Sequence, residues 1–392
     1  ICKLTEPSLF FTQNGPPPVS PSLRTMPQTR IGRFSFEIQY EIFKSEESFF
    51  IFSGATTDNS LFIKSNISSI KFLFALFSNG ILYKLDAANG AVIGQVNAKA
   101  NSALPLPPAV SDHAVYFCMG NRVFSINKHT LQVIWQYDAG SSVQTPPAIS
   151  QKTKQVIVLT EDLYVHAIDA QNGARNWREK PTPANPGNPL NEFRNLAEAK
   201  FGWPVVAEEH NIVFVRYRLH WQTIWDWVYP TMDSNEAMRQ YLENKPEDQP
   251  LWALKLSDGT SAFIPNVGNG GFGDGGYLPM GPLPAIRRFP DNREVAYIPM
   301  RGYPSLLDPP EERDSRDDSR LGELVLDDTT VPGFLAGYVR FMQNTYFPTD
   351  EQAFMAVAGD QIFAAHWEAG IAHKIEDRSE HLGATGTSPI TT

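Results

Sequence analysis

Apolar residues in this chain come in runs of four to six, cut apart by Pro, Gly, Asn and Asp. Phe34-Ser35-Phe36-Glu37-Ile38-Gln39-Tyr40 alternates with period two, and Ala114–Cys118 and Gln155–Leu159 are compact runs rich in β-branched and aromatic residues. Such runs, bounded by turn formers, predict short β-strands. Helical spacing occurs at one place. Asp233 offers an N-cap with Glu236 three residues on, and Ala237, Met238, Tyr241 and Leu242 share a face, so a helix is predicted over 234–244, ending before Pro246. The longest apolar runs, Phe72–Phe77 and Phe49–Phe52, fall far short of the roughly 20 residues that span a bilayer.

The strand pattern repeats. Leu85-Asp86-Ala87-Ala88-Asn89-Gly90 aligns with Ile126-Asn127-Lys128-His129-Thr130-Leu131 and with Ile168-Asp169-Ala170-Gln171-Asn172-Gly173, at offsets of 41 and 42 residues. Leu106-Pro107-Pro108-Ala109-Val110 and Thr145-Pro146-Pro147-Ala148-Ile149 stand ahead of the second and third copies. Gly90 and Gly173 supply a positive φ, and the Asn or Asp side chains can bond backbone two residues on, so each phrase is a tight turn between strands. Four strands in about 40–45 residues make one propeller blade. A β-sandwich is the alternative, but it does not repeat whole strand-turn-strand phrases at a fixed offset. Trp135 and Trp177 are then expected on the last strand of their blades, packing between neighbours.

Over about Ile81–Lys180 these phrases, with Trp four residues after the turn and Pro-Pro-Ala-Val ahead of it, resemble the pyrroloquinoline-quinone-like (quinoprotein) β-propeller repeat. Leu251-Trp252-Ala253-Leu254-Lys255-Leu256-Ser257-Asp258-Gly259 resembles it in part. Two positions depart from the pattern: Gly94 stands where tryptophan is expected, and Leu131 where glycine is expected. The resemblance implies an all-β propeller and leaves two functions open. Members that bind the quinone hold it in the central funnel with calcium, an acidic base, a stacking tryptophan and often two adjacent cysteines. Other relatives carry no cofactor and serve as binding scaffolds, such as the lipoprotein propeller of outer-membrane assembly. Here Cys2 and Cys118 are far apart and no acidic base or calcium set maps onto particular positions. The expectation is therefore a non-enzymatic scaffold or cell-envelope interaction protein, with no cofactor and a protein partner or self-assembly. The alternative is a dehydrogenase of alcohols or sugars that depends on PQQ and calcium. The relatives imply an extracytoplasmic location.

Residues 1–30, rich in Pro, Ser and Thr, read as an extended arm, and 31–392 as the propeller. Stretches within 33–80 belong to one early blade and part of another. Gly173 to Gly259 spans 86 residues, about two units, and includes a non-repeat insert at about 220–246. Glu311–Arg320, within a charged loop at 308–320, mixes both signs and reads as a solvated excursion. Gly386-Thr387-Ser388-Pro389-Ile390 resembles a blade opening, so the propeller is expected to be incomplete at the C-terminus.

Among 392 residues, 31 prolines and 27 glycines agree with many turns. The net charge of −10 leaves no basic surplus to neutralise phosphates and speaks against nucleic acid. Two separated cysteines give neither a disulfide framework nor a zinc site; whether they bridge each other stays open. The run Gly268–Gly276 contains G-x-G-x-x-G but lacks a following helix, so it reads as a flexible loop. No metalloprotease or serine-hydrolase motif is present, and Asn66-Ile67-Ser68 is a lone glycosylation match. The candidate binding site is aromatic. Trp221, Trp225, Trp227 and Tyr229 cluster in the insert and either anchor it to the propeller or form a patch for a protein or glycan, because Trp and Tyr dominate interaction hot spots.

Overall fold

A computed structural model describes residues 49–52, 72–100, 106–189, 195–200, 203–219, 235–263, 269–272, 275–279, 283–302, 319–326, 339–341, 354–358, 361–365 and 370–374. The fold is a β-propeller of antiparallel blades, four-stranded where the repeat is clearest, and among the described residues one α-helix accompanies them. The first blade comprises β1 (Phe49–Phe52), β2 (Phe72–Phe77), β3 (Ile81–Asp86) and β4 (Val92–Asn97). The second comprises β5 (Ala109–Val110), β6 (Ala114–Met119), β7 (Arg122–Asn127) and β8 (Val133–Asp138). The third comprises β9 (Ala148–Ser150), β10 (Gln155–Leu159), β11 (Val165–Asp169) and β12 (Arg175–Glu179).

The chain then runs through β13 (Asn185–Pro186), β14 (Leu196–Glu198), β15 (Val205–Ala207), β16 (Ile212–Arg216), β17 (Arg218–Leu219), α1 (Asn235–Asn244) and β18 (Leu251–Lys255). β15, β16 and β18 form the fourth blade. Ser261 bridges Leu254 and the Ala262 amide donates to the Ala253 carbonyl, so the chain after the Gly259 turn pairs back onto β18. β13, β14 and β17 make a small side sheet. The 86 residues between Gly173 and Gly259 are therefore one blade with an excursion between its second and third strands. A count of two units is corrected by Trp177, whose indole N–H reaches Leu256 in the very next blade.

β19 (Asn269–Phe272) and β20 (Gly275–Pro279) pair antiparallel, so the described residues of the glycine run expected as a flexible loop are strand. The pair is held because β20 continues onto one end of β22 (Glu294–Gly302), while β21 (Ala285–Arg288) takes the other end. β22, β23 (Ser319–Val325) and β24 (Val339–Phe341) complete that blade, and Ser319 and Arg320 of the charged run lie in β23. β25 (Phe354–Ala358), β26 (Gln361–Ala365) and β27 (Gly370–Lys374) form a further three-stranded sheet.

Stacked sheets explain why the second strands are buried throughout and almost wholly apolar. Ala114–Met119, Gln155–Leu159 and Ile212–Arg216 are buried at every position. Alternate residues serve the two neighbouring interfaces: Val115, Phe117 and Met119 face the first blade's core, whereas Ala114, Tyr116 and Cys118 join the core shared with the third. A strand covered on both faces loses its polar alternation. The innermost strands of successive blades lie side by side, β9 by β15, β15 by β21 and β21 by β25.

The repeat turns are uniform in geometry. The amides of Gly90, Leu131, Gly173 and Gly259 donate to the carbonyls of Asp86, Asn127, Asp169 and Lys255, respectively. All four residues have positive φ, between 62° and 78°, although one is leucine. Asp86, Asn127 and Asp169 each accept backbone amides within their turns through Oδ1.

Candidate interaction surface

Each repeat turn holds the previous blade. Trp135 of β8 lies over Gly173, where an added Cβ would sit 2.8 Å from the ring, and its Nε1–H donates to the Ala170 carbonyl at 3.0 Å. Trp177 of β12 repeats this on the next blade, 2.5 Å from a Cβ at Gly259 and 2.8 Å from the Leu256 carbonyl oxygen. Both tryptophans thus occupy the last strand and the inter-blade seam, as the repeat predicts. At the first seam the pair is inverted. A Cβ at Gly94 would meet Leu131 Cδ1 at 2.6 Å, so the small residue is on the strand and the large one on the turn. The two departures from the repeat are one contact with its halves exchanged. Lys84, across from Gly94 in the ladder, sends Nζ to the His129 carbonyl at 3.3 Å and over the Phe72 ring at 3.9 Å. Burial and nearby Lys128 lower its pKa.

The outer strands of the first two blades carry the exposed apolar surface. Val92 and Ile93 on β4 are 60% and 49% exposed, and Val133 and Ile134 at the matching positions of β8 are 54% and 48% exposed. The third blade has Arg175 and Asn176 there, both exposed. β4 bears no charged residue and β8 only its terminal Asp138. Sheet edges are ordinarily guarded by charge. These two are not.

The sequence-predicted patch, Trp221, Trp225, Trp227 and Tyr229, lies outside the described residues. The elements on either side are described. β17 pairs with β14, where Arg218 meets Glu198 at 3.4 Å. In α1, Tyr241 and Leu242 are buried in a core with Phe214, Leu251 and Phe263. The Tyr241 hydroxyl donates to the buried Asp248 carboxylate.

Three acids, Glu208, Glu209 and Glu294, act as clamps between blades. Glu294 accepts the amides of Glu209 and His210 and lies 2.8 Å from His210 Nδ1. Glu208 does the same one blade back, accepting the Ser150 hydroxyl and the Gln151 and Lys152 amides. Glu209 lies 2.9 Å from Arg288 and 3.5 Å from Lys152. Sequence reasoning passed over these acids because their partners are one blade away. Among the described residues no group of three or more His, Cys, Asp or Glu is placed to hold a metal ion. Cys118 is a free, buried thiol whose pKa is pushed upward by desolvation.

A family profile described as outer membrane protein assembly factor BamB, of the PQQ-repeat type, matches residues 78–217. No curated protein matches the chain. Among solved structures, BamB from Moraxella catarrhalis aligns at 14% identity over 77% of this chain and 81% of that one, with a TM-score of 0.40. Quinohemoprotein alcohol dehydrogenase ADHIIG from Pseudomonas putida HK5 aligns at 12% identity over 78% of this chain and 63% of its own, with a TM-score of 0.39. Kuenenia stuttgartiensis hydrazine synthase aligns at 13% identity over 75% and 70%, with a TM-score of 0.42.

Proposed function

Because residues 78–217 carry the pyrroloquinoline-quinone-like β-propeller repeat, we propose that the protein is a non-enzymatic binding scaffold outside the cytoplasm, engaging a protein partner or further copies of itself. The observation that carries this reading is the uncharged, apolar rim of β4 and β8. Four half-exposed β-branched residues recur at one level of two neighbouring blades, where the third blade is polar. An apolar patch of this kind marks an interaction site more often than a catalytic one. The aromatic segment Trp221–Tyr229 adds a second candidate contact region, and the profile's description as an assembly factor agrees with a scaffold.

Native mass spectrometry of the protein from its source, in calcium-containing buffer, tests the reading. The expected result is self-assembly or one co-purifying protein, with no small-molecule adduct. Val92→Lys combined with Val133→Lys should abolish that association while leaving the melting temperature within a degree or two, since exposed substitutions rarely exceed about 0.5 kcal/mol. A monomer carrying a quinone-sized adduct that is lost on denaturation overturns the scaffold in favour of a PQQ- and calcium-dependent dehydrogenase.

A further inference from the structure

At the seam between the second and third blades a histidine is built into the interface. His166 of β11 is 1% exposed and faces the second blade, on the same side of its strand as Ile168. Its Nδ1 lies 2.9 Å from the Tyr137 hydroxyl on β8, and its Nε2 lies 3.3 Å from Thr160 Oγ1. The Thr160 hydroxyl has its proton committed to Asp162 Oδ1 or the Tyr164 carbonyl. It therefore receives Nε2–H from His166. Nδ1 is left bare, and the Tyr137 O–H donates to it across the seam. The ring is neutral in this arrangement, and each of its nitrogens is satisfied.

The charges around it oppose a proton. Arg178, across the ladder from His166, and Arg175 stand on β12. Asp162, in the turn before β11, is the sole nearby carboxylate on the third blade that favours the cation, and Arg178 already engages it at 2.8 Å. From the second blade come Tyr137 and, beside it, Asp138; Tyr116 and the Cys118 thiol lie in the same seam core. On β10 the cross-strand neighbour is Val158. Burial first, and the guanidiniums second, push the His166 pKa down to about 4.

We propose that the Tyr137–His166–Thr160 hydrogen-bond chain is an acid-sensitive latch that holds the second and third blades together when His166 is neutral and releases that seam when the ring takes a proton. A proton on Nδ1 turns the acceptor into a donor, so the Tyr137 O–H can no longer point at it. The cation also has no free carboxylate within the closed seam. Opening lets water reach the ring and returns it to an ordinary histidine. The open state is then favoured progressively as pH falls below about 6.5, by about 20-fold between pH 7 and pH 5.

Hydrogen–deuterium exchange of the full chain, corrected for the intrinsic pH dependence, reads this directly. Peptides covering Val133–Asp138 and Val165–Glu179 should open about 20-fold more at pH 5 than at pH 7. Peptides over Val205–Arg216 should change little. His166→Gln should flatten the seam's profile. Tyr137→Phe removes the donor that favours the neutral ring, so the closed seam tolerates the proton better and the rise in opening between pH 7 and pH 5 should shrink, which keeps the test open if His166→Gln fails to fold. A seam profile that is pH-independent in the wild type, or unchanged in either variant, overturns the latch.

Discussion

The exchange at Gly94 and Leu131 shows how much a single side chain's fate depends on the neighbouring blade. Trp135 over Gly173 and Trp177 over Gly259 put the bulk on the strand and the open space on the turn. Gly94 beneath Leu131 reverses this and leaves a leucine at φ 62°. Left-handed backbone costs a leucine about 1–2 kcal/mol, which its packing on Gly94 must offset. Gly94→Trp alone should destabilise by about 1–3 kcal/mol through collision with Leu131. Leu131→Gly relieves the backbone but empties the seam. The double variant should recover most of the loss, because it recreates the pairing of the next two seams. Urea denaturation of all four proteins gives the coupling energy, expected at 1 kcal/mol or more; additive losses would refute the exchange. Both deviations were visible in the sequence as isolated faults in a repeat. Their relation was not, since it joins residues 37 positions apart through blade stacking rather than through the repeat itself.

Elements were legible where the chain repeats and less so where contacts are long-range. The strands of the second and third blades, their turns, and a helix within 234–244 follow from period, capping and Gly or Asn placement. The glycine-rich pair β19–β20 did not, because its backbone is secured by β22, some twenty residues on. The clamping acids were hidden for the same reason. Glu294 and Glu208 each reach back to the preceding blade's first turn, but they are not equal. Each takes three contacts, but Glu294 is 2% exposed whereas Glu208 is half-buried. Glu294→Ala should therefore cost about 2–4 kcal/mol, as buried amides and His210 lose their acceptor, and Glu208→Ala about 1 kcal/mol. Thermal unfolding of the two variants checks the order, and equal losses would show that burial does not grade these clamps. The aromatic insert is a different case. Its composition marked it in the sequence, and Trp225→Ala separates its two readings: lost partner binding at unchanged melting temperature supports a patch, whereas a lowered melting temperature with binding intact supports an anchor.

Across the molecule, stability rests on a series of buried seams, so a charge introduced in one of them affects the whole stack. His166 is neutral in the folded seam down to about pH 4, while in the unfolded chain it takes a proton near pH 6.5. Below pH 6.5 the unfolded state thus binds more protons than the folded one, and stability falls with falling pH until the folded pKa is passed. The contribution is fully present above pH 6.5 and is lost across the interval down to pH 4. Its full size is about 3 kcal/mol, a large part of the margin of an ordinary domain. His166→Gln keeps a hydrogen-bonding side chain that does not titrate. At pH 7.5 the variant should be less stable than the wild type, because glutamine reproduces the Tyr137 and Thr160 bonds imperfectly. At pH 4.5 it should be as stable or more so, because it has no proton to refuse. The two stability curves, measured by denaturant titration from pH 8 to pH 4, should therefore converge or cross. Parallel curves would mean that the acid sensitivity of the stack arises from other groups, and that the seam tolerates the histidine in either charge state.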